Sequence, residues 1–229
     1  MTQPSRRGLR RAGLLVFPLL AAGLACGPTA TPSVVAPLPA FTMPPEWTPT
    51  PEFIAATVPG WELFSGRGLE LMLPPSYDGG DPAALAEDLA ALLADVPQYA
   101  AIAQAIRDDP TGYRLLTIDR DTGSIVAVTA HSVPEAVSMT EYVDEFSAAV
   151  VEQAPGSALI QKGIVPYRDG EAGWMLFEIM GEEAVVWQLS YAVRRGNLVW
   201  NLNYGAVRGD YPGLQPIFDQ SLQTVHFTP

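Results

Sequence analysis

Two consecutive segments of alternating sequence constrain the fold of this chain more than any other feature. Between residues 185 and 192 large apolar side chains alternate with Gln188 and Ser190, and between 198 and 205 they alternate with Asn201 and Asn203. A period of two is typical of β-strands, whose successive side chains point to opposite faces. The turn sequence Arg-Arg-Gly-Asn between the segments predicts an antiparallel hairpin with one aromatic face and one polar face.

The polar face of this hairpin has two interpretations. In the one we favour, the aromatic face is core and the polar face is solvated or hydrogen-bonded to a neighbouring element. In the other, the face is uncovered, and Gln188, Ser190, Asn201 and Asn203 bind a polar ligand or a partner. Replacing Asn201 and Asn203 by alanine distinguishes the two interpretations. A binding face loses partner capture without loss of stability, whereas a structural face loses both.

The rest of the C-terminal sequence predicts strands that alternate with amphipathic helices. Strands are predicted at 61–64, 69–73, 113–118, 125–130, 158–165, 174–180, 185–193 and 198–204. Helices are predicted at 82–96, 99–106, 139–153 and 210–225, the third beginning with the capping-box sequence Ser-Met-Thr-Glu. Short turns between strands favour antiparallel pairing. The fold class predicted is therefore α+β, an antiparallel β-sheet flanked by α-helices.

One order of motifs resembles a known superfamily. Residues 68–77 read Gly-Leu-Glu-Leu-Met-Leu-Pro-Pro-Ser-Tyr, an apolar strand closed by two prolines and a serine–aromatic pair. A helix, three long hairpin strands and a closing helix with Phe-Asp-Gln-Ser-Leu at 218–222 follow. This order resembles the PsbP-like superfamily, which includes the DcrB- and LpqN-type bacterial lipoproteins. The resemblance covers residues 61–229 and implies a usually non-enzymatic domain that acts as an assembly, stabilising or binding factor at membranes.

The first 25 residues are typical of a secretory signal peptide. Four arginines precede an uncharged, largely apolar stretch from Ala12 to Ala25, which is too short to span a bilayer comfortably. Cys26, the sole cysteine, ends that stretch in the sequence Ala-Gly-Leu-Ala-Cys, which resembles a bacterial lipobox. The resemblance implies cleavage before Cys26 and a diacylglycerol on its thiol. An ordinary signal peptide with an incidental cysteine, or a retained anchor helix, are the alternatives.

Residues 26–60 form the second predicted region, a linker between the lipidated cysteine and the domain at 61–229. Nine prolines and six threonines between 27 and 60 favour extended, solvated backbone over packed structure. Beyond Cys26 the chain has 9 basic and 25 acidic residues, a formal charge of about −16. Such a charge opposes binding to nucleic acid and to anionic head groups. Membrane attachment is therefore expected through lipid on Cys26, on the extracytoplasmic side of the cell membrane.

The sequence contains no recognised catalytic or cofactor-binding motif. His131 and Glu135 lie near each other after a strand, but one histidine and one carboxylate are too few for a zinc site. Asp119-x-Asp121-x-Gly123 lacks the ligands of a calcium loop and is interpreted as a tight turn. We therefore expect no metal and no cofactor. The leading hypothesis is a non-catalytic binding or assembly module whose partner is an envelope protein or a small polar ligand.

Two alternative functions remain at this point. One is an extracytoplasmic hydrolase, which would need a cleft that brings His131 close to a nucleophile. The other is a purely structural envelope component without a specific ligand.

Overall fold

A computed structural model describes residues 57–94, 99–154, 156–168, 170–181 and 184–228. The predicted signal peptide at 1–25, Cys26 and nearly all of the predicted linker at 26–60 lie outside the described residues. The strands are β1 (Glu62–Gly66), β2 (Leu69–Leu73), β3 (Tyr77–Gly80), β4 (Leu115–Asp119), β5 (Ile125–Ser132), β6 (Ala158–Tyr167), β7 (Gly170–Met180), β8 (Val185–Arg195), β9 (Leu198–Val207) and β10 (His226–Phe227). The helices are α1 (Pro82–Ala94), α2 (Ala100–Asp108), α3 (Met139–Gln153) and α4 (Tyr211–Thr224).

The strands form two antiparallel sheets. Seven pair in the order β3-β4-β5-β9-β8-β7-β6, and three pair in the order β1-β2-β10. The alternating segments become β8 and β9, the long central hairpin of the larger sheet, with Arg195 opposite Leu198 across the turn. The predicted α+β class with an antiparallel sheet flanked by helices is confirmed.

The two faces of the larger sheet pack against different layers. The aromatic face of the β8–β9 hairpin packs against β1, β2 and α4 in a core that includes Tyr191, Trp200, Tyr204 and Phe218. The opposite face is covered in two places, because α3 packs over β6–β8 while α1 and α2 pack over β4 and β5. Each helix layer has its own apolar cluster. The predicted aromatic core face is thus confirmed, and the polar side chains lie between the two helix-covered areas.

The pairing register also fixes where the chain enters the domain. The amide of Arg67, in the β1–β2 turn, donates to Arg114 at the start of β4, and the amide of Arg120 after β4 donates to Ser76. Strand β1 therefore begins, with Glu62, near one end of the larger sheet. The β4–β5 turn lies at that same end. The β8–β9 turn lies at the other end, because β5 finishes there with Ser132 opposite Leu198. Chain entry and the β8–β9 turn are on opposite ends of the domain.

The strand β3 was not predicted, and its glycines explain why. A Tyr-Asp-Gly-Gly sequence after two prolines indicates a turn rather than a strand. In the structure Gly79 has a φ of +135°, and a Cβ there would overlap the carbonyl oxygen of Leu116 on β4. The glycine therefore allows β3 to approach β4 closely and extend the sheet by one edge strand. Within the described residues no helix is both long and apolar enough to cross a bilayer.

Candidate functional site

The four predicted polar residues form one buried row, which we call the polar seam: Gln188, Ser190, Asn201 and Asn203. Their side chains are between 0% and 8% exposed. The Ser190 hydroxyl donates to Oδ1 of Asn203 at 2.7 Å, and the Gln188 amide donates to Ser190 at 3.1 Å. Nδ2 of Asn203 donates to the carbonyl of Ala127 on β5 at 3.2 Å. The structure thus brings the four residues together across two strands and away from solvent.

Helix α3 contacts the seam through one side chain. Tyr142 of α3 accepts a hydrogen bond at 2.7 Å from Nδ2 of Asn201, and burial raises the pKa of this tyrosine to about 12. The hydroxyl therefore remains neutral at physiological pH and can take part in the bond with Asn201. The seam is hydrogen-bonded as in the interpretation that we favoured, except that Oδ1 of Asn201 is buried without a partner among the described residues. All four side chains are buried in this structure, and their binding role stays a prediction.

His131 does contact a hydroxyl group, but that hydroxyl is buried while the histidine is half-buried. Its Nε2 lies 3.1 Å from Oγ1 of Thr129, and the threonine is only 6% exposed. Desolvation lowers the pKa of His131 below its usual value, which favours the neutral ring. A nucleophile must be reachable by substrate, so the buried Thr129 hydroxyl does not supply what the hydrolase alternative needs.

The acidic turn after β4 is built as a turn. Oδ1 of Asp119 accepts the backbone amide of Asp121 at 2.8 Å, and the amide of Gly123 donates to the Asp119 carbonyl. This is the local pattern that aspartate and glycine favour in tight turns. Across the part of the chain that the structure describes, no three histidine, cysteine, aspartate or glutamate side chains are grouped as metal ligands.

A cavity at the end of the larger sheet was not predicted from the sequence. The sheet-end cavity has a volume of about 530 Å³, within the range of small-molecule sites. Three connections surround it, from β5 to α3, from β6 to β7 and from β8 to β9. The lining residues are Glu135, Val137, Ser138, Met139, Tyr167, Arg168, Gly170, Glu171, Val193, Arg194, Arg195 and Gly196. The cavity therefore lies at the opposite end of the domain from the start of β1.

Three arginines give the sheet-end cavity its chemistry. Arg194 donates from Nη2 to the carbonyl of Val137 at 2.8 Å and makes longer contacts from Nη1 to two further carbonyls of the β5–α3 loop. The guanidinium of Arg195 lies 5.2 Å from the ring centre of Phe227. Arg168 donates to the carbonyl of Val225. All three guanidinium groups are thus positioned by neutral groups of the protein.

Arg168 also adopts an uncommon backbone conformation. Tyr167 pairs with Gly170, so the β6–β7 connection has two residues, and Arg168 is the first of them with a φ of +52°. Such turns usually place asparagine, aspartate or glycine there, because a Cβ makes positive φ unfavourable. An arginine at this turn directs a cation to the cavity at some conformational cost.

Arg194 and Arg195 of the sheet-end cavity differ from four of the other seven cations of the domain. Residues 57–229 contain 9 basic and 23 acidic residues, and three of the 9 line this one cavity. Arg67, Arg120, Lys162 and Arg208 each pair with a carboxylate within 4 Å. Among the described residues no carboxylate comes that close to Arg194 or Arg195. The cavity therefore concentrates positive groups in a domain that is otherwise strongly acidic.

Sequence comparison gives no relative, but structural comparison shows the fold. The chain matches no protein-family model and none of the curated proteins. The solution structure of cyanobacterial PsbP (CyanoP) from Synechocystis sp. PCC 6803 is similar, with a TM-score of 0.52 at 11% identity over 75% of this chain and 94% of CyanoP. This likeness shows that the chain has a PsbP-like fold.

Two further structures align less closely. LpqN of Mycobacterium tuberculosis, described as involved in cell envelope biogenesis, has a TM-score of 0.44 at 10% identity over 74% of this chain and 91% of its own. The immunity protein TplEi of Pseudomonas aeruginosa, solved with a peptide, has a TM-score of 0.44 at 11% identity over 75% of this chain and 99% of its own.

Proposed function

We propose that this chain is an extracytoplasmic lipoprotein whose PsbP-like domain acts as a non-catalytic binding or assembly module. Lipid on Cys26 would hold it to the cell membrane, since the acidic domain has no electrostatic attraction for anionic lipids. The non-catalytic part rests on the site chemistry. Of the described polar residues, the seam is buried, and so is the Thr129 hydroxyl that His131 contacts.

The single observation that carries this proposal is the position of the sheet-end cavity relative to the start of the domain. The described chain enters β1 at one end of the larger sheet, and the sheet-end cavity lies at the other. The central strand β9 has ten residues and so separates the two ends by about 30 Å. A tether attached before β1 would leave the cavity free to meet a partner.

The linker length fits the same arrangement. Thirty-four residues lie between Cys26 and Trp61, and a proline-rich chain advances about 3.1 Å per residue when extended, which gives a reach of up to about 110 Å. That reach exceeds the dimensions of the domain itself. A partner in the envelope could therefore be met at a distance from the membrane that holds the lipid.

The tether is tested by replacing Cys26 with alanine. Membrane fractionation with mass spectrometry of the N-terminal peptide should show the wild-type chain cleaved, lipidated and in the membrane fraction. The Cys26→Ala variant should be released in soluble form or remain uncleaved, while a Ser33→Ala control should behave as wild type. A cleaved Cys26→Ala protein that stays in the membrane fraction would contradict the proposal.

The binding role is tested separately by pull-down from solubilised membranes, with the tethered protein as bait. A specific partner should survive washing in salt and be identified by mass spectrometry. Loss of every captured protein in the wash would favour a purely structural envelope component instead.

A further inference from the structure

We propose that the sheet-end cavity binds a carboxylate group of its ligand, with Arg194 and Arg195 as the donors. The inference rests on the proposed binding function and names the chemistry of the ligand. A carboxylate borne by a small molecule and one borne by a protein segment present the same group to the cavity. The experiment below distinguishes these two sources.

Arg194 is a preorganised donor. Its three contacts with carbonyl oxygens fix the guanidinium against the β5–α3 loop, so little side-chain entropy is lost on binding. A guanidinium has five N–H groups, and three contacts leave two of them, one on Nε and one on Nη2, without a partner among the described residues. Two N–H groups on one planar cation match the two oxygens of a carboxylate.

Arg195 adds a second, more exposed cation beside the first. Its guanidinium packs on the Phe227 ring, and no described residue accepts a hydrogen bond from it. The first turn of α3 also lines the cavity, but two of the amides there are used within the capping box. Ser138 and Glu141 cap each other reciprocally, with the Glu141 amide bonded to the Ser138 hydroxyl. The arginines are the charged donors at the cavity.

Two glutamates limit what kind of anion the cavity accepts. Glu135 and Glu171 line it and are both exposed, so among the described lining residues three arginines and two glutamates leave a formal charge of +1. A single carboxylate carries one negative charge and suits this balance. Phosphate groups and polyanions carry more charge and meet repulsion from the glutamates. The arrangement selects a monovalent anionic group over phosphate.

The experiment uses the full chain purified in detergent and measures dissociation constants by isothermal titration calorimetry. The probes are butyrate, the acetylated and amidated tripeptide Asn-Glu-Asn, its neutral counterpart Asn-Gln-Asn with the same end groups, and inorganic phosphate. At least one carboxylate probe should bind, and the neutral peptide and phosphate should bind at least about tenfold more weakly. Tight binding of butyrate would indicate a small-molecule source, and preference for the Asn-Glu-Asn tripeptide would indicate a protein segment.

Three variants locate the binding. Arg194→Gln and Arg195→Gln should each raise the dissociation constant of the preferred probe by about tenfold or more, since each removes a charged donor. Arg120→Gln is the matched control, because it removes the same charge in the β4–β5 turn at the other end of the sheet. It should leave the dissociation constant within about twofold. Thermal unfolding checks that each variant is folded. If Arg194→Gln fails to fold, the Arg195→Gln variant tests the inference, because Arg195 is exposed.

Three results would overturn the inference: no carboxylate probe binds, phosphate binds as well as carboxylate, or Arg120→Gln weakens binding as much as the cavity variants. These results are independent of the tether, because detergent-solubilised protein and soluble probes are used. Release of Cys26→Ala from the membrane together with no carboxylate binding would remove the ligand class and leave the lipoprotein proposal standing. Carboxylate binding together with membrane retention of a cleaved Cys26→Ala protein would remove the lipoprotein proposal and leave the ligand class standing.

Discussion

Asn203 lies at the centre of the polar seam, and its replacement by alanine measures how much the seam contributes to folding. The side chain is 3% exposed and makes a short bond with the Ser190 hydroxyl and another with the carbonyl of Ala127. In the Asn203→Ala variant both bonds are lost. The Ser190 hydroxyl and the Gln188 amide keep only each other as partners, in an interior that water does not reach.

The magnitude follows from those contacts. Two buried hydrogen bonds contribute about 1 kcal/mol each, and a buried polar group left without its partner costs about 1–3 kcal/mol more. The space left by the amide adds a smaller cost, because alanine fills only part of the volume. The Asn203→Ala variant should therefore lose about 3–5 kcal/mol of the free energy of unfolding. Such a loss is a large share of the stability of an ordinary domain.

Urea unfolding of wild type and variant at equal protein concentration gives the comparison through the midpoint and the slope. Asn197→Ala is the matched control, because this asparagine is exposed in the β8–β9 turn and makes no side-chain hydrogen bond with a described residue. Its loss should stay within about 0.5 kcal/mol. If Asn203→Ala cost no more than Asn197→Ala while partner capture fell, the seam would be a binding surface and the structural reasoning would be wrong.

Two further changes test the sheet. Gly79→Ala should cost more than about 2 kcal/mol, because the new methyl group would overlap the Leu116 carbonyl at positive φ, whereas Gly213→Ala, at an open helical position, should not destabilise; urea unfolding compares them. Burial lowers the pKa of His131, so its contribution to stability is present above about pH 6.5 and is lost as the pH falls through the folded-state pKa. The His131→Gln variant should therefore lose less stability than wild type between pH 7.5 and pH 5, and an equal loss would contradict that assignment.

Local patterns predicted much of the fold. The β8–β9 hairpin was predicted because its alternation extends over both strands, and both are found with their aromatic side chains in the core. The capping box at Ser138 was predicted from four residues, and the structure shows both of its hydrogen bonds. In each case the information lies within one turn or one pair of strands, so a single sequence contains it.

The sheet-end cavity was not predicted because no single segment contains it. Its lining comes from three connections around residues 135, 168 and 195, which are separated by about 30 residues each along the chain. Each arginine, taken alone, is an ordinary turn or strand-end residue. Only the sheet order, which places β5, β9, β8, β7 and β6 side by side, brings these connections to one end. A tertiary arrangement of this kind has no local signal in the sequence.

The position of the polar seam explains why buried amides are tolerated in this sheet. On β9, Asn201 and Asn203 alternate with Trp200, Leu202 and Tyr204, which face the aromatic core. A slip of β9 by one residue would turn every side chain to the other face. The amides would then enter the aromatic core without partners, and the aromatic rings would meet the hydroxyl groups of Tyr142 and Ser190 instead. Both faces would lose stability in the shifted register. The seam therefore makes the native register of the long hairpin much more favourable than registers shifted by one residue.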